Sequence, residues 1–252
     1  MIRLKSKEDI KYLRISGKIL SDVLRALQQN AREGTYVSSL DSFARELLKR
    51  YKASSAFLGY RPEGTAKAYP AAICASLNDV VVHGVPSRRM LKEGDLLKID
   101  IGVNYKGYIT DGAVTVPIGR VSKDAKQVLE TTKYALAEAV EECKIGKHLG
   151  DIGSAIESTA KKNKCSVVDG LTGHGVGFEL HEDPVVYNFG KKGTGMIIEE
   201  GLVLAIEPML SIGSSDIIQL SDESYATSDG SLSAHFEHTV AVTENGSEVL
   251  TR

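Results

Sequence analysis

The feature that most constrains this chain is that it repeats itself. Glu93-Gly94-x-Leu96-Leu97-x-Ile99-Asp100 is matched by Glu200-Gly201-x-Val203-Leu204-x-Ile206-Glu207 at an offset of 107 residues, and Asp111-x-x-Val114-x-Val116 by Glu237-x-x-Val240-x-Val242 at an offset of 126. Each copy puts one acid at the end of an apolar, strand-like run and another at the start of the next. The surroundings repeat too. Ser6 and Asp9 form a capping-box start to a helix carrying Ile10, Leu13, Leu20, Val23, Leu24 and Leu27 and ending near Gly34. A second helix runs from about Ser39 with Leu40, Phe43, Leu47 and Tyr51 on one side, and strands are expected at 73–77, 80–82, 96–103 and 108–116. The second half again has a helix (Ala125, Val128, Leu129, Leu136, Val140, Cys143), a shorter one (Ile152, Ile156, Ala160) and strands at 166–168, 202–206 and 236–242. Such a duplication implies one pseudo-two-fold domain over 1–252, with halves of about 1–118 and 119–252.

Composition narrows the partners. Thirty-one Lys and Arg against 33 Asp and Glu give a net charge of −2, so overall charge calls for neither DNA nor an anionic membrane. No apolar run approaches the ~18 residues of a membrane span. Seven charges crowd the first fourteen residues, which reads as a leaderless, cytoplasmic chain. Three cysteines, odd in number and without C-x-x-C spacing, indicate neither a disulfide framework nor a thiolate zinc site.

The repeated acids carry the chemistry. A symmetric even-length loop over Asn104, Tyr105, Lys106 and Gly107 centres a hairpin between 105 and 106, which sets Asp100 directly opposite Asp111 on one face, with Cβ atoms roughly 4.5–5.5 Å apart. Like charges so placed need a cation between them. Asp100 also leaves the face of Leu97, Ile99, Ile101 and Val103, and Glu207 repeats this after Ile206. Buried carboxylates must be paired or bound to metal, so four acids in duplicated positions point to a shared cation site. Gly173-His174-Gly175-Val176-Gly177, followed by Leu180-His181-Glu182-Asp183-Pro184, reads as a flexible backbone presenting two histidines with an acidic turn. It lacks the register of a nucleotide-phosphate loop. His83, in Val82-His83-Gly84-Val85-Pro86, is a third active-site candidate.

Taken together, Asn78 through Pro86, Ile99-Asp100 through Thr110-Asp111, Gly173 through Pro184, Ile206-Glu207-Pro208-Met209 and Ser231 through Thr239 resemble the type I methionine aminopeptidases. The resemblance covers nearly the whole chain. It implies an α+β pita-bread (creatinase/aminopeptidase-like) fold, a curved antiparallel sheet with outer helices and pseudo-two-fold duplication. It further implies two divalent ions (Mn, Fe, Co or Zn) bound by Asp100, Asp111, His174, Glu207 and Glu237, with Asp111 and Glu237 bridging. A hydroxide between the ions would attack the first peptide carbonyl, polarised by metal and His181, while Glu207 shuttles the proton and His83 binds the scissile amide or leaving nitrogen. The partners would be nascent polypeptide or peptide N-termini with a small second residue, with room for a transient ribosome contact. The chain would act as a monomer.

Three alternatives accompany that reading. Only 25 residues separate His181 from Glu207, where type II members insert a helical subdomain. Xaa-Pro aminopeptidases and prolidases place a domain before the catalytic one, yet Phe178 through Asp183 has some of their character, so broader or Xaa-Pro specificity is the enzymatic runner-up. A pita-bread fold can also serve as a non-catalytic binding module. By the resemblance, Phe57, Tyr60, Cys74 and Leu180 line the methionine pocket, Phe57 replacing a usual Cys and Leu180 an aromatic or Met. Glu223 stands where many members have Trp, which suggests a more open pocket. His235 replaces a usual Gln, and either tunes the metal's surroundings or faces solvent. Cys143, Cys165, His148 and His238 are read as structural or surface residues, and Cys74 fits a buried strand equally well.

Overall fold

The structure, a computed structural model, describes residues 2–61 and 67–252. Among the described residues four helices, α1 (Lys7–Asn30), α2 (Val37–Arg50), α3 (Lys123–Glu142) and α4 (Leu149–Lys162), alternate in pairs with strands. After α2 come β1 (Ser54–Ser55), β2 (Cys74–Leu77), β3 (Val80–Val82), β4 (Leu96–Tyr105) and β5 (Tyr108–Pro117). After α4 come β6 (Ser166–Val167), β7 (Thr172–Gly175), β8 (Glu182–Tyr187), β9 (Val203–Ile206), β10 (Met209–Ser211), β11 (Ile217–Gln219), β12 (Tyr225–Thr227), β13 (Ser233–His235), β14 (His238–Thr243) and β15 (Gly246–Val249). The paired strands run antiparallel, in one sheet around β4 and β5, one in the order β15-β14-β9-β7-β8, and two small three-stranded sheets.

The helices form because their ends and faces agree. The Ser6 side chain accepts from Asp9 N and the Asp9 side chain accepts from Ser6 N, closing the expected capping box of α1. Leu20, Val23 and Leu27 of α1 and Leu40, Ala44 and Leu48 of α2 pack with Leu97, Ile99 and Ile101 of β4. Val128, Leu136 and Val140 of α3 and Ile152 and Ile156 of α4 pack with Leu204, Ile206 and Val240 of the second sheet. Each such Leu or Ile contributes about 1.5–3 kcal/mol when fully buried. Helices therefore cover one face of each sheet, and the other faces are free to form a site.

The repeated Glu-Gly pairs have a mechanical reason. Gly94 (φ +96°) and Gly201 (φ +88°) both occupy the left-handed region, and each donates its N–H to the end of the neighbouring strand, at Ile118 O and Val242 O. They start β4 and β9 in the same way in the two halves.

Gly17 marks the closest approach of α1 to the C-terminal segment. A Cβ there would lie 2.2 Å from Leu250 O, a main-chain atom with little room to yield. Gly17→Ala is expected to destabilise the protein by about 1–3 kcal/mol despite alanine's better helix propensity, as read from urea unfolding midpoints.

Some expected boundaries shift. The strand expected over 236–242 is interrupted, because Phe236 and Glu237 lie between β13 and β14. There Glu237 N donates instead to Ala113 O of the first half.

Candidate active site

The β4–β5 hairpin places the first two acids, in a register that corrects the expected one. Its turn is Lys106-Gly107, with φ of 54° and 86°, the two left-handed residues of a type I′ turn, and Tyr105 pairs with Tyr108. Asn104 stays in the strand while its side-chain oxygen accepts from Gly107 N. Asp100 therefore faces Ala113, and Asp111 faces Gly102. The slip of two residues preserves the face, so the aspartates are diagonal neighbours rather than a direct pair. The opposite face of β4 presents Ile99 and Ile101 to the helices.

His174 is not on a flexible loop. It lies in β7, opposite Ala205 of β9. The flanking glycines serve close packing: a Cβ on Gly173 would meet Ala205 O at 2.4 Å, and one on Gly175 would meet Asp183 O at 2.2 Å. His174 Nδ1 lies 2.9 Å from Gly175 O, an N–H donation that leaves Nε2 with its lone pair. Nε2 is 3.4 Å from Glu207 Oε1 and 4.0 Å from Asp111 Oδ2.

Glu207, just after β9, and Glu237, just before β14, complete the group across a seam between the halves. Asp111 N donates to Thr239 Oγ1, which in turn donates to Asp111 O, both at 2.8 Å. Thr115 Oγ1 does the same for His235, accepting from its N–H at 2.9 Å and donating to its carbonyl at 2.7 Å. Among the described residues two ligand-capable clusters result, Asp111 with His174 and Glu237, and Glu207 with His235 and Glu237. Asp100 belongs to neither but adjoins Asp111. His235 is 1% exposed, so the solvent-facing alternative is excluded.

The electrostatics ask for a cation. Burial, then the charges of Asp111 and Glu207, raise the Asp100 carboxyl well above its ordinary range. Burial raises Asp111 to about 7, opposed by the hydrogen bond it accepts from Gly112 N. Glu207 and Glu237 are raised by burial and then by Asp111. Burial pushes His174 down to about 4, so it is neutral and available as a ligand. Asp100 Oδ1, Glu237 Oε1 and His235 Nε2 are shielded from solvent with no hydrogen-bond partner among the described residues. Carboxylates and imidazoles with buried, unpartnered donor atoms fit divalent ions of the Mn, Fe, Co or Zn type.

Above this floor lies a cleft of about 1100 Å³ lined by all the sequence-derived candidates: Asp100, Asp111, His174, Glu207, Glu237, His83, His181, Phe57, Tyr60, Cys74 and Leu180. His83 is held in the left-handed region (φ 61°) with its ring 5.8 Å from that of Tyr225. The Tyr60 hydroxyl is 2.7 Å from His181 Nδ1. Phe57, Cys74 and Leu180 share an apolar cluster with Tyr69, whose ring meets Phe57 edge-on at 6.4 Å. Glu223 also borders the cleft.

Sequence reasoning missed three supports. Lys5 forms an ion pair with Glu182 in which both side chains are almost wholly buried. Glu182 Oε1 also accepts from Phe178 N at 2.6 Å and Glu179 N at 2.9 Å, fixing the turn that carries Leu180 and His181. Lys98, fully buried, reaches Asn78 O at 2.6 Å and Ser233 Oγ at 3.2 Å, tying the segment before His83 to the strand before Glu237. Its signal was present, since alternation puts Lys98 on the Asp100 face. Tyr69 and the Lys5–Glu182 pair join residues with no pattern linking them in the chain.

Fold and site together define a metallopeptidase. The model of metallopeptidase family M24 matches residues 11–244, and the chain belongs to that family. Within it, the chain is 40% identical over 253 residues to a methionine aminopeptidase of Clostridium acetobutylicum, covering 100% of this chain and 99% of the relative. It is 43% identical over 256 residues to that of Aquifex aeolicus, covering 99% and 98%. The crystal structure of a methionine aminopeptidase from Thermotoga maritima superposes with a TM-score of 0.95 at 37% identity and full coverage of both chains. Prolidase from Pyrococcus furiosus shares the fold alone, with a TM-score of 0.78 at 24% identity over 99% of this chain and 65% of that one.

Proposed function

We propose that the chain is a metal-dependent aminopeptidase that removes the initiator methionine from polypeptide and peptide N-termini with a small second residue. The observation that carries this reading is the convergence of Asp111, His174, Glu207 and Glu237, beside Asp100, on the floor of a cleft, with buried oxygens left over for cations. Two divalent ions, of Mn, Fe, Co or Zn, would be held by these five residues and would supply Lewis-acid polarisation and an acidified water. Residues 1–252 would act as one catalytic unit.

The remaining roles belong to side chains. Glu207, its proton affinity raised by burial, takes a proton from the attacking water and delivers it to the leaving amine. Burial in the cleft wall, then His174 and His83, hold His181 neutral. Donation from Tyr60 O–H to His181 Nδ1 leaves the proton on Nε2, which donates to the scissile carbonyl oxygen. His83 hydrogen-bonds the leaving nitrogen. Phe57, Cys74 and Leu180 form an apolar pocket suited to an unbranched thioether side chain, with aromatic edges for its sulfur.

Tyr60→Phe removes the hydroxyl that selects the His181 tautomer and keeps the ring. It is expected to lower kcat by roughly fivefold, equivalent to about 1 kcal/mol, with KM nearly unchanged in steady-state assays. The reading as a whole is tested by release of the first residue from a panel of X-Ala-Ser peptides by chelator-stripped protein, with and without Mn, Fe, Co or Zn. Metal-dependent release of methionine alone is the expected result. Release of several residues points to the broader-specificity alternative, and no release with any metal discards the enzymatic reading.

A further inference from the structure

His235 belongs to the second ligand-capable cluster but holds none of the five ligand positions or catalytic roles proposed above. Its backbone is clamped on both sides by the Thr115 hydroxyl, and its side chain is buried between the two glutamates. Nε2 lies 3.3 Å from Glu207 Oε2 and 3.9 Å from Glu237 Oε2, yet has no hydrogen-bond partner among the described residues. At 3.3 Å the nitrogen is close enough to Glu207 to bond it and is misaligned for doing so. Donor atoms around one divalent ion, each about 2.0–2.2 Å from it, are separated by about 3–4 Å, and both contacts fall in that range.

The arrangement also balances across Glu207. Its Oε1 faces His174 Nε2 at 3.4 Å and its Oε2 faces His235 Nε2 at 3.3 Å, so the carboxylate is flanked by an imidazole on each side. We infer that His235 is a direct ligand, through Nε2, of an ion held with Glu207 and Glu237, giving this centre two imidazoles rather than one. The inference rests on the metallopeptidase reading and adds a sixth side chain to its five proposed ligands. A second imidazole biases the site toward borderline ions such as Co and Zn over Mn, which carboxylates alone satisfy.

The test counts imidazoles. Chelator-stripped protein is loaded with two equivalents of Co(II), and cobalt-edge X-ray absorption gives the number of coordinated imidazoles per chain. Two are expected in the wild type and in the H83N/H181N double variant, which removes the other cleft histidines, and one in His235→Gln. Co(II) affinity should fall about tenfold or more in His235→Gln, with a smaller loss for Mn(II). A hydrogen-bonding role could also weaken affinity, so the count is the deciding readout. If His235→Gln does not fold, the count in H83N/H181N decides: two supports the inference and one overturns it. An unchanged count in His235→Gln with cobalt still bound overturns it and leaves the peptidase reading intact. Failure of the wild type to bind cobalt overturns the inference, and failure to bind any of Mn, Fe, Co or Zn overturns the peptidase reading as well.

Discussion

Asp111→Asn is expected to abolish peptide hydrolysis and, in the metal-free protein, to raise stability. The two effects have one source. Asp111 is buried against Asp100 and adds its charge to the burial that already disfavours ionised Asp100, Glu207 and Glu237. Asparagine is almost the same shape, and its side-chain oxygen can still accept from Gly112 N, as Asp111 Oδ1 does at 3.0 Å. What it removes is a charge that only a bound cation neutralises. Activity should fall on the order of 10³-fold or more, since the ligands act as a unit. Metal-free stability near pH 8 should rise by about 1–4 kcal/mol, because an acid whose folded pKa is raised costs stability once it must ionise in the native state. Urea unfolding of chelator-treated proteins, alongside metal content and peptide turnover, checks both. Equal losses of stability and activity would mean that Asp111 is a packing residue.

Divalent metal should stabilise the wild type by an amount that grows with pH. For Asp111 the folded pKa is raised from 3.8 to about 7, so between these values the native state binds more protons than the unfolded state. Stability of the metal-free protein therefore falls as pH rises through that window. Metal needs the deprotonated ligands, so its binding improves over the same range. At a free ion concentration 100 times the Kd, stabilisation is about 2.7 kcal/mol. Unfolding curves with and without chelator at pH 5, 6.5 and 8 should diverge progressively. An equal gap at all three pH values would place the stabilising ion away from these carboxylates.

The sequence made the acids legible because a strand has only two faces. Asp100 and Glu207 break apolar runs at duplicated positions, and parity alone puts Asp100 and Asp111 on one face. Parity cannot say whether the partners are direct or diagonal. That depended on whether Tyr105 belongs to the turn or the strand, and the left-handed preference of Lys106-Gly107 decided it. Gly173 and Gly175 were visible as glycines, but flexibility and close packing leave the same letter in a sequence, and only the carbonyls of Ala205 and Asp183 distinguish them. The Lys5–Glu182 pair and the second histidine cluster depend on how segments far apart in the chain dock, which no local periodicity encodes.

The seam has a consequence in time. Its hydrogen bonds join residues 120 and 128 positions apart, and the carboxylate group it assembles draws on both sides of it. During synthesis, at roughly 5–20 residues per second, Asp100 and Asp111 emerge many seconds before Glu237, so their hairpin can form early but the full ligand set cannot. A protease whose cutting centre exists only after its two halves meet is harmless to its own half-made chain, and in a series of ribosome-stalled lengths its activity should appear as a single step rather than a gradual rise.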